Sequence, residues 1–319
     1  MLRTFLIYLS KADWARQIVT RWSFARKAAS RFIAGEKLGD AIEVIRTLNA
    51  KNINATLDHL GEHTSNPEKA VQATNDIITI LKRIHTEGVR SNISIKLTQI
   101  GLAVDEDLCA ENLNRILTTA VNLSTFVRID MEDSQWVEKT LGLFKKSLVD
   151  CSCENVGIVI QSYLYRSEED VSELLRSGAR IRMCKGAYKE PENIAYPQKS
   201  DVDRNFDLLV LQLLDGSIAN GIPSISDDGK IPPIPGIATH DEERITYTKK
   251  ALIEKGLPKE AVEFQMLHGI RRDLQESLAQ EEYPVRVYVP YGSEWYPYFT
   301  RRLAERPANL WFFLSNLFR

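Results

Sequence analysis

From Ile53 onward, short apolar runs alternate with longer stretches in which apolar positions recur every three or four residues. The first kind reads as a buried strand and the second as an amphipathic helix. Strands are predicted at 53–60, 92–97, 126–131, 156–163, 180–185, 236–240, 262–267 and 284–291. Helices are predicted at 67–85, 111–123, 135–149, 167–176, 203–219, 241–254, 271–280 and 298–306, several of them stopped by a glycine such as Gly88, Gly178 or Gly256. The strands are β-branched or apolar over most of their length, as in buried parallel sheets. Eight strand–helix units in one chain predict an α/β fold of the (β/α)8 TIM-barrel type. The expected organisation is an N-terminal helical segment over residues 1–52, then the barrel over 53–319.

Outside the repeat, Leu2, Phe5, Leu6 and Leu9, followed by Trp14, Ile18 and Trp22, fall at helical spacing and predict two helices up to about Ile33. Seven basic residues stand against one acid in residues 1–31. Two readings follow: packing against the domain, or an apolar, basic face touching an anionic membrane. The apolar run Leu310-Trp311-Phe312-Phe313-Leu314 is expected to dock as a last helix.

Composition narrows the partners. The net charge of −2 gives nucleic acid no electrostatic footprint, and no apolar run reaches the length of a spanning helix. Phe5-Leu6-Ile7-Tyr8-Leu9 is too short for a signal-peptide core. Four cysteines without regular spacing suit a reduced, cytoplasmic protein, and Cys151-Ser152-Cys153 lacks the second pair that a zinc site needs.

In a barrel the chemistry sits at the carboxyl ends of the strands. Those ends carry Asp58 and His59, Lys96, Asp130, Gln161, Arg182 with Lys185, Thr239 with His240, Gln265 with Leu267, and Tyr288. A polar group on every strand end describes a site. A lysine inside the run Ile93-Ser94-Ile95-Lys96-Leu97 needs a partner, and Asp130 on the next strand is the candidate. Gly186 and Ala187 allow the backbone to approach a planar or phosphorylated ligand. No G-x-G-x-x-G or P-loop motif occurs, so a bound dinucleotide is not held in either of those ways. On the last helix, Tyr298, Arg301, Arg302 and Glu305 at i, i+3, i+4 and i+7 are expected to share one side, and paired guanidiniums suit a carboxylate or phosphate. The alternative for that helix is a solvated face with ion pairs. A competing function is a metal-dependent barrel hydrolase using His59, His63, His240, His268 and Asp130.

In order along the chain, Ile93-Ser94-Ile95-Lys96-Leu97, Arg128-Ile129-Asp130-Met131-Glu132, Ile160-Gln161-Ser162-Tyr163, Arg182-Met183-Cys184-Lys185-Gly186-Ala187-Tyr188, Ala238-Thr239-His240-Asp241, Phe264-Gln265-Met266-Leu267, Arg286-Val287-Tyr288-Val289-Pro290 and the stretch Tyr298–Glu305 resemble the proline dehydrogenase family. The resemblance runs from about residue 53 to the C-terminus and is to the monofunctional form. It implies a distorted (β/α)8 barrel that holds FAD non-covalently, oxidises L-proline to Δ1-pyrroline-5-carboxylate and passes electrons to a quinone. A pyrroline-5-carboxylate dehydrogenase would be the downstream enzyme, and peripheral contact with the inner face of a membrane would accompany quinone use.

The same resemblance implies residue roles. Lys96, Arg301 and Arg302 would bind the proline carboxylate. Tyr288, Tyr298 and Leu267 would wall the pyrrolidine ring, and Tyr188 would cover it. Asp130 would hold Lys96 and line the catalytic centre, with Arg182 beside flavin N5. Met131, Gln161, Lys185, Gly186, Ala187, Thr239, His240 and Gln265 would bind FAD. Glu62 would close over the substrate by pairing with Arg301. Tyrosine at 288, where a small residue would favour hydroxyproline, points to proline. The segment Ser226–Pro233 departs from the pattern and is expected to alter the loop beside the adenine end.

Overall fold

The structure, a computed structural model, describes residues 29–61, 64–150 and 155–305. Eight parallel strands close into a barrel in sequence order: β1 (Asn54–His59), β2 (Ser91–Ile95), β3 (Val127–Ile129), β4 (Val156–Gln161), β5 (Arg180–Cys184), β6 (Pro235–Ala238), β7 (Glu263–Leu267) and β8 (Val285–Tyr291). Closure is made by β1 on β8, with Asn54 opposite Arg286 and Thr56 opposite Tyr288. The expected strands are all present, most of them a residue or two shorter, so Lys96, Asp130, Lys185, Thr239 and His240 stand just past their strand ends.

The helices are α1 (Leu38–Asn49), α2 (Pro67–Glu87), α3 (Glu106–Asn122), α4 (Ser134–Asp150), α5 (Ser167–Arg176), α6 (Lys199–Ala219), α7 (Glu242–Glu254), α8 (Arg272–Gln280) and α9 (Trp295–Glu305). Local chemistry sets their ends. Asn66 caps α2 by accepting from the Lys69 amide at 3.1 Å, Pro67 opens its first turn, and Gly88 ends it in the left-handed region. Ile77, Ile80, Leu81 and Ile84 form its buried stripe, each contributing roughly 1.5–3 kcal/mol by leaving water. Helix α3 begins five residues before the expected start because Asp105 caps it, accepting from the Leu108 amide at 2.8 Å.

Helix α1 packs against both β1 and β8, the outer slot that the eighth helix of a regular barrel fills. The chain enters it along β8, where the Ala34 amide donates to the Pro290 carbonyl and the Gly292 amide to the Gly35 carbonyl. Helix α9, which leaves the carboxyl end of β8, joins this entry segment through the Trp295 indole on Glu36 and the Phe32–Phe299 ring contact. The eighth helix is thereby kept near the mouth.

The barrel interior corrects the apolar expectation. Along the strands, outward positions such as Leu57, Ile95, Ile129, Ile158 and Ile181 are buried under the helices. The alternate positions are polar and bond across the lumen: Arg182 reaches Ser94 and Asp130, and Tyr288 reaches Asp130. Bulky branched side chains fill most barrels of this type; here the lumen is a hydrogen-bonded network.

The segment Ser226–Pro233 is also corrected. It precedes β6, so it lies at the amino-terminal end of the barrel, opposite the mouth. Its carbonyls accept from lumen side chains: Gly229 from Arg286 at 2.6 Å, Lys230 from Asn92 at 2.8 Å, and Pro232 from Arg180. Gly229 has φ +68°, and an added Cβ would fall 2.4 Å from the Asn54 side-chain oxygen. The segment's length and polarity come from sealing a polar lumen floor. The N-terminal helices predicted up to Ile33 and the 310–314 tail lie largely or wholly outside the described residues.

Candidate active site

At the mouth, four strands converge on one cluster. Lys96 lies 3.1 Å from Asp58, 3.4 Å from the Tyr288 hydroxyl and 3.6 Å from Asp130. Burial pulls the lysine's pKa down, but Asp58 and Asp130 outweigh it and hold the ammonium above its ordinary range. Asp58, itself buried, is thus the nearer partner, and the expected Lys96–Asp130 pairing is the longer of the two.

Asp130 is shared. Its Oδ1 accepts from Arg182 at 2.9 Å and its Oδ2 from the Tyr288 hydroxyl at 2.8 Å. Burial first, then the field of Asp130 and Asp58, pushes the Tyr288 phenol well above its ordinary value, so the phenol stays a proton donor. Arg182 also donates to Ser94 at 3.0 Å and, through Nε, to Gln265. Its guanidinium lies over the Tyr288 ring, 5.4 Å from the centroid.

The other half of the mouth, over β4 to β7, carries the residues expected to hold a cofactor. The Gln161 amide donates to the Glu132 carbonyl at 2.9 Å while its oxygen faces the Ala187 amide at 3.4 Å. Met131, next to Glu132 in the chain, is buried. Gly186 has φ +119°, and a Cβ there would stand 2.5 Å from the Tyr163 ring. The glycine is therefore required by Tyr163 and by its backbone, whatever ligand approaches. Lys185 is gripped by Asp203 and Asp241, the latter at 2.6 Å, so it enters any phosphate site already neutralised. The Thr239 hydroxyl accepts from the Asp241 amide, and His240 Nε2 accepts from the Leu267 amide at 3.0 Å. That bond fixes the neutral imidazole with its proton on Nδ1.

Arg182 and the proton-bearing Nδ1 of His240 are donors in this half of the mouth, the chemistry that suits the negative charge an isoalloxazine gains on reduction. The residue set fits a flavin.

Helix α9 resolves into two environments. Arg302 is buried, with its guanidinium over the Tyr298 ring at 5.0 Å, and Tyr298 is buried too. Arg301 is exposed. Tyr298 and Arg302 stand one turn apart and are both buried, whereas Arg301, an i+3 neighbour of Tyr298, lies at the exposed edge of that side. Arg301 still acts on the mouth: its charge and that of Lys96 fall on the Tyr188 phenol, opposite Glu132 and Asp130. Leu267 is half-buried at the end of β7. Glu62 lies outside the described residues, as does His63.

The hydrolase reading finds no support. Among the described residues, no three His, Cys, Asp or Glu side chains stand close enough to share a metal. His59 stacks on Tyr291 at 5.1 Å, and His240 is bonded to β7.

Several lumen residues were not singled out from sequence: Ser94, Glu132, Glu263 and Arg286. Glu132 is buried and accepts from both the amide and the hydroxyl of Thr98. Glu263 and Arg286 form an ion pair at 2.8 Å with essentially no exposure. The signal was present as polar residues at every second strand position, Glu263 then Gln265 and Arg286 then Tyr288.

The sequence model described as proline dehydrogenase matches residues 41–313. Proline dehydrogenase 2 of Bacillus subtilis (strain 168) is 40% identical over 316 residues, covering 99% of this chain and 98% of the relative. Proline dehydrogenase of Deinococcus radiodurans is 42% identical over 295 residues, covering 91% of this chain and 90% of the relative. Among solved structures, proline utilization A of Bdellovibrio bacteriovorus inactivated by N-propargylglycine superposes with a TM-score of 0.79 at 24% identity, over 92% of this chain and 34% of that one. The barrel mouth, the order of its motifs and the near full-length identity agree: this chain belongs to the proline dehydrogenase family.

Proposed function

We propose that this mouth oxidises L-proline to Δ1-pyrroline-5-carboxylate with non-covalently bound FAD, and that the cluster around Lys96 and Asp130 positions the substrate. Family membership makes the chain a flavin-dependent oxidoreductase acting on proline. The observation that carries the residue-level reading is Lys96, held charged between Asp58 and Asp130 at a half-buried strand end.

Lys96, Arg301 and Arg302 neutralise the substrate carboxylate, which fixes the ring and makes the transfer effectively unimolecular. Tyr288, Tyr298 and Leu267 wall the ring, Tyr188 covers it, and Glu62 closes by pairing with Arg301. Asp130 holds Lys96, Tyr288 and Arg182 in one geometry. Met131, Gln161, Lys185, Gly186, Ala187, Thr239, His240 and Gln265 hold the cofactor, and Arg182 lies beside its reacting edge. FAD, when bound, supplies the hydride acceptor. The ring carbon next to nitrogen loses hydride as the amine lone pair forms the C=N bond, so the amine must arrive unprotonated.

Electrons pass onward to a quinone, and a pyrroline-5-carboxylate dehydrogenase consumes the product. Among the described residues no helix is long and apolar enough to cross a membrane. The basic, apolar stretch over residues 1–31 supports a cytoplasmic protein that touches the inner face of a membrane.

The test is steady-state kinetics of Lys96→Met. A rise in KM for L-proline of tenfold or more, with FAD retained, supports the assignment. Near wild-type kinetics reject it.

A further inference from the structure

Below Arg182 the lumen holds a column of side chains whose lower members, Glu263 and Arg286, no step above uses. Gln265 is its middle member. Its Oε1 accepts from Arg182 Nε, and its Nε2 donates to Glu263 Oε1 at 2.6 Å. Glu263 Oε1 also accepts from Arg286 Nε at 2.8 Å. Arg286 is tied to backbone at the barrel floor, donating to the Ala55 carbonyl at 2.7 Å and to the Gly229 carbonyl at 2.6 Å. Glu263 is 0% exposed and Arg286 1%.

The column has a direction. An ionised carboxylate only accepts, and a guanidinium only donates. A side-chain amide caught between them has one orientation, because a flip would set oxygen against Glu263 and NH2 against Arg182. The amide orientation that serves Arg182 is thus dictated by a carboxylate two residues away on β7 and by an arginine on β8. At the upper end, Asp130 and Ser94 take Arg182 Nη1. With Nε and Nη1 both engaged, the guanidinium plane is fixed.

We propose that the buried Glu263–Arg286 pair is a positioning device for the reaction: through Gln265 it fixes the guanidinium of Arg182 at the flavin edge. Neither residue touches substrate or cofactor. The floor segment Ser226–Pro233 is part of the device, since its Gly229 carbonyl holds Arg286. The inference rests on the placement of Arg182 beside the flavin.

A buried ion pair replaced as a unit by apolar side chains leaves no charge stranded, so the variant to make is Glu263→Met/Arg286→Met. Two readouts apply: the reduction potential of the bound flavin, measured without proline, and kcat and KM per bound flavin. A guanidinium free to swing away stabilises the reduced flavin less. The potential should fall by about 30 mV, the two-electron equivalent of a tenfold change. The kcat should fall about tenfold, with KM for proline within twofold of wild type. A purely structural role predicts a lower Tm and less flavin, with potential and kcat per flavin unchanged; that result overturns the inference.

If the double variant does not retain flavin, Glu263→Asp keeps the charge and withdraws the carboxylate by one methylene. A lowered potential then supports the proposal, and a wild-type potential overturns it. Arg182→Met separates the two levels. If it shifts the potential while the lumen variants do not, the positioning role fails and the site reading stands. If Arg182→Met leaves the potential unchanged, the placement of Arg182 fails and the inference falls with it.

Discussion

Tyr288 on β8 donates its hydroxyl proton to Asp130 at the end of β3, 2.8 Å across a lumen in which those strands stand three positions apart. One carboxylate thereby ties together Tyr288, Lys96 and Arg182, the residues proposed to wall the substrate, meet its carboxylate and stand beside the flavin. Removing the hydroxyl should loosen all three. Tyr288→Phe keeps the ring and its contact with Arg182 but deletes a charge-assisted hydrogen bond worth about 1.5–3 kcal/mol. We expect kcat/KM for L-proline to fall roughly tenfold or more, with flavin content unchanged in the purified protein.

Lys96 separates Asp58 from Asp130, two carboxylates that its charge keeps compatible. Lys96→Met leaves them facing each other and takes away a substrate partner. Truncating one member of such a charge cluster costs about 2–5 kcal/mol. The side chain is 28% exposed, so the lower end applies here. The loss should appear chiefly in KM, and Lys96→Met/Asp58→Asn should recover thermal stability, measured as Tm, without recovering proline binding.

Helix α9 gives a graded prediction. Arg302 is buried against Tyr298, whereas Arg301 is exposed. Arg302→Met should reduce kcat/KM for proline about ten- to hundredfold, mostly through KM. Arg301→Met should cost less by itself, since a solvated charge contributes less. If Glu62 pairs with Arg301, Glu62→Ala should reproduce part of that loss and be non-additive with it in a double-mutant cycle.

The architecture was legible in the sequence because buried parallel strands and amphipathic helices leave different periods, and eight of each leave little choice of fold. Strand ends pointed to Lys96, Asp130, Arg182 and Tyr288, since a polar group at the end of an apolar run needs a partner. The partners were harder. Asp58 was visible at a strand end, but only three-dimensional closure of β1 beside β2 shows that it lies nearer Lys96 than Asp130 does. The polar lumen was written as alternation in Glu263-Phe264-Gln265 and Arg286-Val287-Tyr288, yet strands this short and β-branched read first as uniformly buried. Gly186 drew notice as an approach for a ligand, but the space beside it is filled by the Tyr163 ring, a contact that no local pattern encodes.

Gly186 itself is testable. An alanine would have to hold φ near +119° with its methyl 2.5 Å from the Tyr163 ring. Backbone strain of this kind costs of order 1–3 kcal/mol. Gly186→Ala should lower Tm and weaken FAD retention on gel filtration, and Gly186→Ala/Tyr163→Leu should recover part of the retention by clearing the ring.

His268, buried behind the mouth, sets an acid limit on stability. Burial, then Arg272, lowers its imidazole to about 4. In the unfolded chain a histidine titrates near 6.5. Between those values the unfolded state binds a proton that the folded state refuses, so stability is full above about pH 6.5 and falls as pH drops towards 4. The loss at pH 4 reaches about 3 kcal/mol from this group. His268→Gln should flatten the pH dependence of Tm across that window.

The most direct measurement is an anaerobic titration of the purified protein with L-proline, following the visible absorbance of the bound flavin. The account predicts a yellow protein whose colour is released by acid, whose absorbance bleaches with proline, and whose bleaching requires much more proline in Lys96→Met. Bleaching should also be easier at higher pH, as the proline amine loses its proton. A colourless native protein, or a bound flavin that proline leaves oxidised, would contradict it.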